Sequence, residues 1–418
     1  MSSVTDVVIV VKGLNDVFDF YRLVPIFHRF LIDVDVLSRK FNIFRIRGEV
    51  KTVNALIKNL GSKVVMLFRN FGIKHSGDVY KMPWFYLPTP FHIGNQLLST
   101  YLLHNMGIYG SMTSICIIDD LPIYSKAWRM FRINTLYMPK TSRGSLEASV
   151  ALSIIKDPLD TANTCIPIDA KKIREVGRYP CVNMGIAPLA EVNLICLDDH
   201  TAASLIKALD VVLQNVDKCR IVFIPWQVNI PPSEFSKNDV KVFVNILNMF
   251  YKTLDEKGVI VITPVGNHGV EASIDPIASS EHTFSPTGFE LGSGSTLNIA
   301  SKPPNVIYPN VPKPDLIMPG VAKVEVVKES ELTCVNAVGT SVAAAFLTGV
   351  LALFNEYLKC ELSKELTSGV LRHFIKTMLK SEDTVRKHME SHVGKGMITC
   401  TQIMMYVDNL RKTKDLTR

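Results

Sequence analysis

Hydrophobic positions divide the chain into short apolar runs and longer stretches of helical period. Val7–Val11 is a continuous β-branched run and predicts a strand, and Asp16–Phe30 sets Phe18, Tyr21, Val24 and Phe27 on one helical stripe. Val34–Leu37 and Phe41–Ile46 predict two short strands. Glu49–Leu60 predicts a helix with Val53, Leu56, Ile57 and Leu60 inward, stopped by Gly61, and Lys63–Phe68 a closing strand. The order β-α-β-β-α-β is that of a small ferredoxin-like α+β unit, assigned to residues 1–71. Pro83, Pro88 and Pro90 then forbid regular structure, so residues 72–90 read as a linker.

Beyond it, Phe91–His104 predicts a helix and Ser114–Ile118 a buried strand ending at Asp119-Asp120. Strand-like Val192–Leu197, Arg220–Ile224 and Val259–Thr263 alternate with helical Thr201–Val216 and Asp239–Lys257, the pattern of a parallel α/β sheet. Leu316–Met318 and a helix over Glu365–Lys376 complete residues 91–411, and 412–418 form a basic tail. One stretch stands apart: from Ser341 to Leu353 the run is apolar on every face, which predicts a helix buried on all sides.

Composition changes this picture little. The 418 residues are 47% hydrophobic and 20% charged, with a net charge of +7 spread along the chain, as in an ordinary globular protein. No arginine-aromatic interleaving points to nucleic acid, and no eighteen-residue apolar run predicts a membrane span. The first twelve residues lack the features of a signal peptide. The compartment therefore stays open: cytoplasmic, or secreted if the N-terminus is incomplete. Cys116, Cys196 and Cys334 lie in or beside apolar runs and read as buried thiols, while Cys165 with Cys181, or Cys360 with Cys400, are candidate pairs.

The candidate chemistry lies at four stations: Asp119 at a strand end, Arg143-Gly144-Ser145 opening a helix, Asn267 in a Gly-Asn turn, and Ser341 at a buried helix start. Backbone N–H groups at a helix start favour developing negative charge, which suits a nucleophile. Taken singly, each station has a bland alternative, such as an N-cap or a turn residue.

Their order and the flanking residues resemble the subtilisin-like serine proteases (subtilases). Ile115–Asp119 is similar to the strand carrying that family's aspartate, and Gly185-Ile186-Ala187-Pro188 to the turn after the histidine helix. Thr263–Gly269 is similar to the segment whose asparagine lines the oxyanion hole, Pro314–Gly320 to a proline-glycine strand and turn, and Val338–Gly349 to the serine motif. Gly394–Ile398 is similar to the closing turn.

The resemblance implies a three-layer α/β fold with a central, mostly parallel sheet, preceded by a propeptide-like domain docked on its own subtilisin-like body. It implies Asp119 and Ser341 as catalytic positions, Asn267 at the oxyanion position, and Pro225, Trp226 and Gln227 as the substrate-binding strand. It also implies a protein or peptide partner. No cofactor or metal is expected; calcium is common in the family, but Asp198-Asp199 and Asp157/Asp160 read as surface charge rather than a calcium loop.

One station departs. Arg143 stands where the family's general-base histidine belongs, and no histidine lies between His104 and His200. Guanidinium keeps its charge and cannot accept the serine proton, and loss of the base costs such an enzyme roughly a millionfold in turnover. An ion pair of Arg143 with Asp119 is the physical expectation. Pro225 and Trp226 replace residues that leave the cleft open, and Ala345 and Phe346 replace a Pro-His pair. His268 reads as a turn residue. The expected protein is a degenerate subtilase, a pseudoprotease with a binding or regulatory role. The alternative is an active endopeptidase using Ser341. Self-processing would need the same missing base, so an uncut chain is expected.

Overall fold

The structure, a computed structural model, describes residues 4–12, 32–76, 78–80, 97–122, 133–140, 144–156, 185–290, 295–328, 331–379 and 394–415. The first strand, β1 (Val4–Val11), is continuously apolar from Val7 onward because both faces of that part are covered. Val7, Ile9 and Val11 pack under a helix, whereas Val8 and Val10 face the larger body. β2 (Asp33–Ser38), β3 (Ile43–Glu49), α1 (Val50–Leu60) and β4 (Val64–Arg69) follow, and the antiparallel sheet has the order β2-β3-β1-β4. That order fits the ferredoxin-like reading. The helix expected over 16–30 lies outside the described residues.

Two short strands, β5 (Ile73–His75) and β6 (Asp78–Tyr80), form inside the stretch read as a linker. The prolines that argued against structure there come later, at 83, 88 and 90. The body then contributes α2 (Thr100–Asn105), β7 (Ser114–Asp119), β8 (Leu121–Pro122), β9 (Ile133–Tyr137), β10 (Gly144–Ser145) and α3 (Leu146–Ile155). Next come β11 (Glu191–Cys196), α4 (Ala202–Gln214), β12 (Ile221–Phe223), β13 (Trp226–Val228), α5 (Asn238–Glu256), β14 (Ile260–Ile262) and β15 (Thr283–Phe284). β16 (Pro286–Phe289), β17 (Leu316–Pro319), β18 (Val321–Lys328), β19 (Glu331–Val338), α6 (Thr340–Leu362), α7 (Ser368–Met378) and α8 (Cys400–Asp415) complete it.

The central sheet has six parallel strands in the order β15-β14-β12-β7-β11-β9. Its period-2 alternation splits the core in two. Ile115 and Ile117 of β7 face the cluster built on α3 and α6, while Cys116 and Ile118 face the one built on α4 and α5. This is a three-layer, subtilisin-like α/β fold.

α6 is the central helix. It runs 23 residues and is long and apolar enough to cross a membrane, but 94% of its apolar window is buried inside the protein, so it is a core helix. Close packing needs Gly349, where an added Cβ would lie 2.7 Å from Ile186. No other described helix meets the length and hydropathy test for a span.

The N-terminal sheet rests on α4 and α5, with Val8, Val10, Ile43 and Phe68 entering the same cluster as Phe243 and Phe250. Arg45, almost wholly buried, joins the two units: Nη2 lies 2.7 Å from Asp6 and Nη1 2.8 Å from Asp199. Asp199 was expected to be surface charge and instead holds this buried cation. Its neighbour Asp198 takes Lys207 at 2.6 Å. Asp157 and Asp160 lie outside the described residues. Cys116, read as a buried thiol, forms a disulfide with Cys219 across 103 residues, whereas Cys360 and Cys400 are both free.

Candidate active site

Residues 71–76 leave β4 and thread between two segments of the body. On one side Ala202 N donates to Phe71 O (2.9 Å) and Ile73 N to His200 O (2.9 Å). On the other, β5 pairs antiparallel with β13, matching Trp226 with His75, Gln227 with Lys74 and Val228 with Ile73. Asn229 N donates to Gly72 O and Ser76 N to Pro225 O, each at 2.9 Å. Pro225 has no N–H, but the ladder asks it only for its carbonyl. Beyond residue 77, β6 pairs with the end of β19, with Asp78 opposite Val338. Residues 71–76 thus lie extended in the cleft, past Asp119 and up to the backbone N of Ser341.

His75 lies part-way along that strand. Its Nε2 is 2.5 Å from Asp119 Oδ1, and its ring stacks on Trp226 at 4.0 Å between centroids. Trp226, expected to fill the cleft, is fully buried and forms the floor under the ring, fixed by Nε1 donating to Ile118 O at 2.9 Å. Asp119 is 1% exposed; Asp120 N also donates to its Oδ1 (2.7 Å), and its Oδ2 has no partner.

Burial alone draws the His75 imidazole down, but Asp119, Glu147 and Asp120 outweigh it and hold the ring above its ordinary value. Burial pushes the Asp119 carboxyl up against the pull of His75. Both shifts favour keeping a proton on the pair. Beside them, the Asp120 carboxylate accepts from His200 Nε2 at 3.0 Å and raises that imidazole too.

The serine side is built by the body. Gly339 is the N-cap of α6, so Ser341 lies in the first turn and does not cap the helix. Its backbone N donates to Ser76 O at 3.0 Å, which places a peptide carbonyl on the helix start. Asn267 follows Gly266, whose φ of +97° is a left-handed turn. Asn267 Oδ1 accepts from Thr340 N (3.1 Å) and Thr340 Oγ1 (3.0 Å), which orients the amide and leaves buried Nδ2 without a partner. Asn267 N is held by Gln227 Oε1 at 2.7 Å, tying this turn to β13. His268 Nε2 lies 3.0 Å from buried Asp275 Oδ2, and its ring packs edge-on to Phe235.

Asp119, Asn267, Ser341 and the strand 225–227 therefore surround one strand. Arg143 lies outside the described residues, and the group found against Asp119 is His75. The sequence argument missed it by seeking a histidine in the family's order within the body. The available signal was its position, six residues past Arg69 at the end of β4, where the chain must cross toward the body.

His75, Asp119 and Asp120 bring ligand atoms within 4.8 Å of one another, the donor set among the described residues that could hold a metal ion. Two atoms bound to one small cation stand about 3 Å apart or more. The 2.5 Å between Nε2 and Oδ1 is closer than that.

No protein-family model and no curated protein sequence matches the chain. Solved structures do. The epidermin leader peptide processing serine protease EpiP from Staphylococcus aureus, in a mutant form, matches with a TM-score of 0.69 at 12% identity, over 96% of this chain and 99% of that one. The prenylagaramide maturation protease PagA matches at 0.53 and 14%, over 74% and 98%. The PatG macrocyclase in complex with peptide matches at 0.52 and 18%, over 74% and 95%. The likeness is one of fold. Membership in the subtilase family, even as a degenerate member, is thereby corrected: the relation is to subtilisin-like peptidases of a different branch, at identities that carry the fold alone. The motifs suggested more because turns, helix starts and strand ends constrain residue types wherever this scaffold occurs.

Proposed function

We propose that the protein is a self-occluded, subtilisin-fold pseudoprotease that acts by binding or regulation, with residues 71–76 held in its own cleft and the N-terminal sheet docked as a propeptide is. The observation that carries this is the Ser76 carbonyl on Ser341 N while β5 completes a ladder with β13. Among the described residues, no imidazole of the body reaches Asp119; the one that does belongs to the occupying strand. A peptide arriving from outside finds the cleft filled and, if it displaces the strand, takes the imidazole away with it.

Peptides are a fitting class of occupant. The neighbours named for leader-peptide processing and for a complex with peptide share the scaffold, and the groups that β13 and 200–202 present to residues 71–76 are backbone donors and acceptors suited to an extended chain. The test is multiple-turnover hydrolysis of a peptide library by the full chain, together with labelling by a fluorophosphonate probe. The expected outcome is neither sustained turnover nor labelling of Ser341. Turnover abolished by Ser341→Ala would favour the endopeptidase reading instead.

A further inference from the structure

We infer that the cleft selects its peptide partners by a histidine, placed two residues after an apolar residue and directly before a small one, the pattern of Ile73-Lys74-His75-Ser76 in the chain itself. This rests on the reading above, that residues 71–76 lie in the cleft as a bound peptide does, and it names the side chains that the body reads.

The positions of the strand are read unequally. The backbone bonds made by Phe71, Gly72, Ile73 and Ser76 ask only for an extended chain and carry no sequence preference. Ile73 is buried in the cluster that holds Ile118, Leu197 and Val228, so an apolar side chain belongs there. Lys74, opposite Gln227, is exposed and its identity is free. Ser76 is wholly enclosed, and its N and Oγ both donate to Pro225 O, at 2.9 and 3.0 Å. Such an enclosure admits a small residue.

The pocket around His75 is the selective one. Trp226 supplies a floor at 4.0 Å and 26° to the ring, and Asp119 takes Nε2. His200 closes a side, its ring 6.5 Å from that of His75 and 5.0 Å from that of Trp226. The carboxylates of Asp119, Glu147 and Asp120 all favour a cation there. The occupant must therefore offer a flat face, an N–H donor and positive charge together. Imidazole meets all three demands. Phenylalanine would stack but leave buried Asp119 without a donor, and lysine would bring charge on a flexible stem with no face for the indole. Arginine is flat and charged, but its guanidinium extends past the depth at which Nε2 already touches Asp119. A peptide that displaces the resident strand keeps Asp119 paired by bringing an imidazole of its own.

The test uses the full chain carrying Ile73→Asp with His75→Gly, which withdraws both side-chain anchors of the resident strand and leaves the body unchanged. The probe is a fluorescent synthetic peptide of residues 70–76 with an amidated end, followed by anisotropy. Saturable binding is expected. Phenylalanine, lysine or alanine in place of its histidine should weaken it about 10- to 100-fold. Alanine in place of its lysine should change it by about 2-fold or less, and leucine in place of its serine should abolish it. Adding Asp119→Asn to the protein should shrink the preference for histidine over alanine.

A second measurement leaves the strand in place. In His75→Gly alone, 4-methylimidazole (the free side chain) is expected to raise the thermal unfolding midpoint saturably, whereas toluene and n-butylamine do not and the wild type does not respond. Absence of that response overturns the inference, whatever the double variant binds. Histidine and alanine peptides bound equally well also overturn it, while upholding the cleft as a peptide site. Fast amide exchange at 73 and 76 in the wild-type chain, with no peptide bound by the double variant, removes both readings.

Discussion

The two ends of the cleft are assembled differently. On the serine side, Ser341, Thr340 and Asn267 are held by the body's own elements: the start of α6, the turn at Gly266 and the Gln227 clamp. On the aspartate side, buried Asp119 relies on an imidazole from residue 75, 44 positions earlier in the chain. The first side is complete before the strand arrives; the second is complete only after. With the strand in place Asp119 is 1% exposed, and His75 is the partner that offsets the cost of burying that carboxylate.

Four measurements press on that contrast. Trp226→Ala removes the floor under His75 and is expected to cost about 3–5 kcal/mol in urea unfolding, with faster amide exchange at 73. Unchanged exchange there would detach the ring stack from strand docking. His75→Ala is expected to cost about 3 kcal/mol, at the low end for a broken buried pair because Asp119 can take up a proton instead. A loss that does not shrink toward alkaline pH, where His75 gives up its proton, would contradict this account.

The third is pH dependence. With the folded value of His75 raised, its stabilisation is full below the ordinary imidazole value and is lost as pH rises through the raised one. Burial of Asp119 acts in the same sense, since its folded value is also raised. Exchange protection at 73 and 76 in Ser341→Ala should therefore fall from acid to alkaline pH, and His75→Gln should flatten the slope. A flat wild-type profile would speak against the pair. The smallest effect is Ser341→Ala itself, expected to change the unfolding free energy by no more than about 0.5 kcal/mol, as for a substitution that removes no named contact. A large loss would show that the serine side leans on that hydroxyl.

Much of the scaffold is legible from sequence. The continuous runs at Val7–Val11 and 115–118 mark strands covered on both faces, and the all-apolar run after Ser341 marks a core helix. The stations at Asp119, Asn267 and Ser341 are legible because each is a local feature: a strand end, a left-handed glycine turn, a helix start. What escaped notice is non-local. His75 meets Asp119, Cys116 meets Cys219 and Arg45 meets Asp199 across 44, 103 and 154 positions. No spacing rule encodes such contacts; they follow only once the strand order places the segments together. A search confined to one motif order also discards any group that a crossing segment brings from outside it.

On the proposed reading, residues 71–76 and 78–80 make the small sheet and the body a tethered ligand and receptor. β5 and β6 flank one cleft and are anchored at both ends, to β13 and to β19. Tethering of this kind raises the local concentration of the strand to the order of millimolar or more. A competing peptide at micromolar levels cannot match that, however well it fits. Access to the groove is thus governed by the integrity of a single covalent connection rather than by the abundance of rivals.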